Sequence, residues 1–248
     1  MRVAVAGATG VVGAHVMAAL LATGHDAVPL ARSVGVDIVT GSGLGEALVG
    51  ADAVIDVSNI TTTRKRAAVD FFDRGSRNLV EAGRRCGLGH HIALSIVGID
   101  DIDYGYYQGK LRQEQIVLSC DVPSSVLRAT QFHEFPGQLL DRVPGPLAVM
   151  PRMTVQPVAA QEVAAELVAM LEQPGAGLVP ELAGPEVHDL VDLARKVLRQ
   201  RRSRRALLPI RIPGPAGGAM RGGGLLPKAD GPRGRITFGE WLARRTIA

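Results

Sequence analysis

Within an apolar run, Leu94-Ser95-Ile96-Val97-Gly98, sits a lone serine, and Tyr106 and Lys110 follow it four positions apart. On a helix that spacing places a phenol and an ammonium on one face. A lysine cation lowers the phenol pKa, so Tyr106 can exchange a proton with a substrate oxygen. Ser95 can hydrogen-bond the same oxygen. A tyrosine and a lysine on an exposed amphipathic helix also occur together by chance, so the trio gains meaning from what surrounds it. Tyr107 follows Tyr106 directly, and the sequence leaves open which phenol faces the reacting centre.

The surroundings begin at the N-terminus. Val3 to Ala6 predicts a buried parallel strand, and Val11 to Ala22 a helix closed by Gly24, with Gly7, Gly10 and Gly13 across the junction. Strand, glycine turn and helix form the layout that seats a pyrophosphate on a helix N-terminus. Gly7 permits the tight turn, Gly10 lets the backbone approach the phosphates, and Gly13 lets the helix pack close to the strand. Thr9, Val11 and Val12 complete the expected phosphate contacts. A glycine turn with no ligand is the alternative. At the end of the second strand, Asp26 to Ala31, stand Arg32 and Ser33, with no carboxylate. A carboxylate there would bond the ribose 2′-hydroxyl of NAD, whereas a guanidinium suits a 2′-phosphate. The expected cofactor is therefore NADP(H), read by Arg32 and Ser33; a solvated Arg32, or one stacked on adenine, is the competing role. With a nicotinamide present, hydride transfer complements the proton exchange at Tyr106, and Lys110 can also bond the nicotinamide ribose.

Strand and helix patterns alternate through the first half. Strands are expected at Asp37 to Thr40, Ala53 to Val57, His91 to Val97 and Ser124 to Ala129. Helices are expected at Leu44 to Val49, Ala67 to Cys86 and Tyr106 to Cys120. Such alternation predicts an α/β fold, a Rossmann doubly wound parallel sheet with helices on both faces. Further helices are expected at Ala160 to Glu172 and Val187 to Arg199. Pro209 to Gly234, rich in Gly and Pro, predicts a long loop. A terminal helix, Phe238 to Arg244, carries Trp241, expected to pin the tail to the body. The division expected is a dinucleotide-binding domain over 1–134 and a small C-terminal lobe over 135–248.

Hydrophobic residues make up 46% of the 248 positions, as a sheet buried on both faces requires. No apolar run is long enough to span a bilayer, and the N-terminus enters a core strand at once. A cytoplasmic protein with no membrane partner is expected. Cys86 and Cys120 suggest half-buried thiols rather than a disulfide framework, and no metal-ligand spacing occurs. The net charge of +4 is carried mainly by arginine. Its densest run, Arg195 to Arg205, lacks interleaved aromatics and predicts a solvated helix end rather than a nucleic-acid surface.

The segments GATGVVG (7–13), LSIVGID (94–100), YYQGKLRQE (106–114), VLRATQFHEF (126–135), LAGPE (182–186) and FGEWLA (238–243) together resemble the atypical short-chain dehydrogenase/reductases, most closely their NmrA-like branch. The resemblance covers the whole chain and is most specific up to Phe135. It implies NADP(H) bound through Gly7, Gly10, Gly13 and Arg32, Asn59 and Ser95 lining the nicotinamide side, and Gln131, Phe132 and His133 lining the substrate pocket. Gly109 stands where the family more often has Ala; a mid-helix glycine costs about 1 kcal/mol relative to Ala and suggests close approach by a ligand or partner backbone. The leading expectation is an NADPH-dependent reductase of a small carbonyl or quinone, with hydride from NADPH and the proton from Tyr106, acting as a monomer or homodimer. A non-enzymatic NADP(H) sensor is the alternative, and a redox-neutral sugar-nucleotide epimerase comes third.

Overall fold

The computed structural model describes residues 1–173 and 175–244. In chain order the first half runs β1 (Arg2–Ala6), α1 (Val11–Ala22), β2 (Asp26–Leu30), α2 (Leu44–Ala47), β3 (Ala53–Asp56), α3 (Lys65–Cys86), β4 (His90–Ile96), α4 (Gly105–Leu118) and β5 (Ser124–Ala129). The second half runs α5 (Phe135–Arg142), β6 (Leu147–Pro151), β7 (Thr154–Val155), α6 (Ala160–Ala169), β8 (Gly177–Leu178), β9 (His188–Asp189), α7 (Leu190–Gln200), β10 (Ala206–Ile210), α8 (Gly214–Arg221) and α9 (Phe238–Arg244).

Six strands form a parallel sheet in the order β2-β1-β3-β4-β5-β8. The chain starts in the middle, steps outward to β2, then returns past β1 to β3. The strand order therefore reverses between β1 and β3, where doubly wound sheets open a crevice at the strand C-termini. β1 and β3 are continuous apolar runs because both of their faces are covered, Val3 to Ala6 and Ala53 to Ile55 being fully buried.

The expected strand at Asp37 to Thr40 is not formed. Asp37 Oδ1 accepts the backbone N–H of Val39 at 2.8 Å and of Thr40 at 3.4 Å, and Gly35, Gly41 and Gly43 have positive φ. The segment folds into turns, with one bridge from Asp37 to Ser42. An aspartate that bonds the N–H groups just ahead of it competes with sheet pairing. Both thiols are half-buried and free, packed on a core cluster that includes Leu48, Val54 and Leu79.

By compactness the residues fall into two units, one of 1–96, 104–128 and 161–180, the other of 97–103, 129–160 and 181–248. α6 and β8, from the second half of the sequence, thus belong with the first unit. In the second unit β6 pairs with β10 in parallel and β7 with β9 antiparallel. Asp189 caps α7, its carboxylate accepting the Val191 N–H at 2.7 Å, and the helix buries its apolar face. Arg201 pairs with Asp141, and Arg205 donates to the carbonyls of Leu140, Val143 and Leu147. The arginine run thus ends in specific contacts. Pro209 to Gly234 is not the long loop expected: it holds the end of β10 and all of α8. A Cβ on Gly98 would lie 1.9 Å from the Gly224 carbonyl oxygen, so the segment after α8 is seated against the start of residues 97–103. Trp241 packs on Phe238 and His133, with ring centroids 5.4 and 5.5 Å apart.

Within the first unit α3 and α4 lie side by side, and Gly109 makes this possible. A Cβ there would stand 2.8 Å from the Ala68 backbone and from the Phe72 ring. The glycine is required by the neighbouring helix, without any ligand. Gly109→Ala is therefore expected to lower stability, despite a gain of about 1 kcal/mol in helix propensity. Overpacking of this kind costs about 1–3 kcal/mol, which urea unfolding would register as a lower midpoint at unchanged slope.

Candidate active site

The turn after β1 is built by exclusion of side chains. Gly7 has φ +82°, and a Cβ on it would lie 2.8 Å from the Val57 carbonyl oxygen. A Cβ on Gly13 would lie 2.1 Å from the Gly7 carbonyl oxygen, so α1 rests directly on the turn. Gly10 caps α1 without a side-chain hydrogen bond, and its own N–H closes the turn on the Gly7 oxygen at 2.9 Å. The first hydrogen bond of the helix runs from Ala14 N–H to Gly10. Val11, Val12 and Gly13 precede it, and no acidic residue lies in this first turn; their N–H groups have no intrahelical acceptor. Val12 is buried and Thr9 exposed, so Val12 can reach a ligand only through its backbone.

This turn borders a cleft of about 620 Å³ at the C-terminal ends of β1, β2 and β3. Its walls are Gly7, Thr9 and Gly10, then Leu30 to Arg32, Val36 to Val39, Val57 to Thr61, and Phe71. Arg32 is exposed at the lip, in the 3₁₀ turn that follows β2. Ser33 is exposed but does not line the cleft. The bare glycine turn, the first-turn N–H groups without an intrahelical acceptor and the cation at the end of β2 fit a dinucleotide. Val36 to Val39 and Phe71 were not singled out from the sequence. The glycines around Asp37 were the signal for a turn facing the cleft, and the strand-like run masked it.

On α4 the two phenols part. Tyr106 donates its hydroxyl to Asn59 Oδ1 at 2.7 Å, and Asn59 is part of the cleft wall. Tyr107 is buried against Tyr104, and burial pushes its phenol well above the ordinary value. Lys110 is only 4% exposed. Its ammonium donates to the Leu94 carbonyl at 2.6 Å and to Gln113 Oε1, and lies 4.8 Å over the Phe72 ring. The Phe72 centroid is 6.0 Å from that of Tyr106, so one buried aromatic packs on both tyrosine and lysine. Burial lowers the Lys110 pKa to about 8, against the opposing pull of Asp56 and Glu114. Ser95, adjoining Leu94, is buried, and its hydroxyl has no hydrogen-bond partner among the described residues.

Gln131, Phe132 and His133 belong to the second unit. Gln131 and Phe132 are half-buried, whereas His133 is fully buried. Its ring packs on Phe238 and Trp241, with Nε2 2.9 Å from the Ile236 carbonyl, so its surroundings are those of a core residue. Among the described residues no group of three His, Cys, Asp or Glu could hold a metal ion.

No protein-family profile and no curated protein sequence matches this chain. Its fold does match solved structures. MoeE5 in complex with UDP-glucuronic acid and NAD superposes with a TM-score of 0.75 at 14% identity, over 100% of this chain and 98% of that one. DesIV, a dTDP-glucose 4,6-dehydratase from Streptomyces venezuelae with NAD and TYD bound, gives 0.72 at 16% identity over 100% and 96%. A dTDP-4-dehydrorhamnose reductase from Clostridium acetobutylicum gives 0.68 at 14% identity over 85% and 84%. The likeness establishes a Rossmann-like architecture.

On β4, opposite Val54, His91 is wholly buried, and burial lowers its pKa from 6.5 to about 4 despite the Asp56 carboxylate. Its folded value lies below its unfolded one, so the unfolded chain binds the extra proton between about 6.5 and 4. The stability this histidine permits at neutral pH is lost as pH falls through that window. His91→Leu should remove that part of the slope, so that wild type loses stability faster than the variant in urea unfolding from pH 6.5 down to 4.

Proposed function

We propose that this chain is an NADP(H)-dependent oxidoreductase of the short-chain dehydrogenase/reductase type that reduces a carbonyl or quinone of a small molecule. The observation that carries this reading is the Tyr106 hydroxyl, bonded to Asn59 in the cleft wall, one helical turn from a buried lysine. The cofactor would be held by the backbone N–H groups of Thr9, Val11, Val12 and Gly13, with Arg32 meeting a 2′-phosphate, and Asn59 beside the nicotinamide. Bound there, NADPH supplies the hydride. Tyr106 supplies the proton, its phenol kept in place by the Asn59 amide oxygen until a substrate oxygen takes over as acceptor. Lys110 contributes a positive field one turn away. Ser95, whose buried hydroxyl lacks a partner among the described residues, would orient the substrate oxygen.

A second reading keeps the same machinery and changes the substrate. Several proteins sharing this fold are described with sugar nucleotides, UDP-glucuronic acid in MoeE5 among them, which favours a sugar-nucleotide substrate for the same Tyr-Lys pair.

NADPH oxidation by the purified protein, measured over a panel of quinones, ketones, aldehydes and UDP- and dTDP-sugars, separates these readings. Turnover on a simple carbonyl or quinone supports the first, and turnover confined to nucleotide sugars the second. NADPH binding without turnover on either panel favours a sensor. Tyr106→Phe should lower kcat by about 10²- to 10⁴-fold, the usual worth of a positioned acid, with NADPH affinity unchanged by calorimetry. Arg32→Glu should weaken NADPH by roughly 10- to 100-fold, as loss of charge-assisted bonds worth about 1.5–3 kcal/mol requires, and leave NADH affinity nearly unchanged.

A further inference from the structure

Lys110 poses an electrostatic problem that its own contacts do not solve. A buried ammonium is costly unless a counter-charge and hydrogen bonds compensate it, yet the two partners of Lys110 Nζ, the Leu94 carbonyl and Gln113 Oε1, are both neutral. The carboxylate nearest in sequence, Glu114, is engaged by Arg128 in a buried two-pronged pair at 2.9 and 2.7 Å. On α3, Asp73 is held by Arg77 and Arg112, and Phe72 offers only its ring. On β4, His91 is neutral, and on α4 the buried Tyr107 keeps its proton. The remaining carboxylate is Asp56 at the end of β3, 1% exposed and without an ion-pair partner within 4 Å among the described residues. Its Oδ1 accepts the Ser58 N–H at 2.9 Å, and its Oδ2 accepts Gln113 Nε2 at 2.7 Å.

Gln113 is fully buried and uses both ends of one amide. Its N–H faces the anion and its oxygen faces the cation. The register explains why a bridge is needed. Asp56 lies opposite Ala93, so the Leu94 carbonyl that Lys110 reaches lies beyond the end of β3, and Gln113, three positions on along α4, spans the interval.

We propose that Gln113 is a positioning residue for Lys110, its amide transmitting the Asp56 counter-charge and holding the lysine protonated and in place. The burial that lowers Lys110 to about 8 puts the lysine where a modest change in that counter-charge alters its protonation near neutral pH. The inference draws on the proposed function only in giving Lys110 a part in proton transfer, and its test needs neither substrate nor cofactor.

The chain contains four lysines, Lys65, Lys110, Lys196 and Lys228, so lysine labelled with carbon-13 at Cε gives a spectrum simple enough to titrate directly, with Lys110 assigned by its loss in Lys110→Arg. In Gln113→Met the amide is replaced by an apolar chain of similar length, and the Lys110 midpoint should fall by about one pH unit or more. In Gln113→Glu a carboxylate touches the ammonium directly, and the midpoint should rise by a similar amount. If turnover is found, the alkaline limb of its pH profile should move in the same two directions, whereas a purely structural role would lower activity without moving it. Coincident midpoints in wild type and the folded variants would overturn the proposal. Should Gln113→Met fail to fold, Gln113→Glu decides alone: a raised midpoint supports the bridge and an unchanged one rejects it.

Discussion

The helix after the first strand lies so close to the turn beneath it that no side chain fits between them. A Cβ on Gly13 would enter the Gly7 carbonyl oxygen, and one on Gly7 would press on the backbone just after β3. That approach ties three elements to one point. It sets where α1 begins, it places that start beside the cleft, and it brings Val57 to Asn59 up to the same cleft. Asn59 in turn meets Tyr106, so the placement of α4 against the cleft depends on a contact that begins with two missing methyl groups.

Around α4 the interior holds several charged groups, Asp56, Lys110, Glu114 and Arg128 all being buried. Glu114 and Arg128 satisfy one another with two hydrogen bonds, an arrangement of good geometry that is costly to break and adds little net stability over an apolar pair. Lys110 is treated differently. Among the described residues it meets no carboxylate directly and rests on a carbonyl, an amide and an aromatic face, and burial lowers its pKa. A core selected for stability alone would place an apolar side chain there. Local departures of this kind are expected where a site needs a group in a particular protonation state.

Much of this was legible from local pattern. The glycine turn, the alternation of β1 through β5 and the positions of α1, α3 and α4 follow from apolar runs and their stops, signals that operate over a few residues. Two segments misled for the same reason in opposite directions. Asp37 to Thr40 has the short apolar content of a strand, but its aspartate bonds the N–H groups ahead of it, and positive-φ glycines stand on both sides. The stretch from Pro209 onward has the composition of a loop, yet its glycines permit close packing, as Gly224 against Gly98 shows.

By itself the sequence determined the α/β order, the glycine turn and the four-residue spacing of Tyr106 and Lys110, because each depends on neighbours along the chain. Tertiary structure decided that Tyr106 rather than Tyr107 meets Asn59, that Lys110 lies inside rather than on the surface, that Gly109 serves the crossing of α3, and that Gln113 joins Asp56 to the lysine. Spacing places a side chain on a face of its helix. What that face meets depends on residues 40 to 60 positions away, Asn59 lying 47 from Tyr106 and Asp56 lying 57 from Gln113, and contacts at that separation exist only once the sheet has assembled.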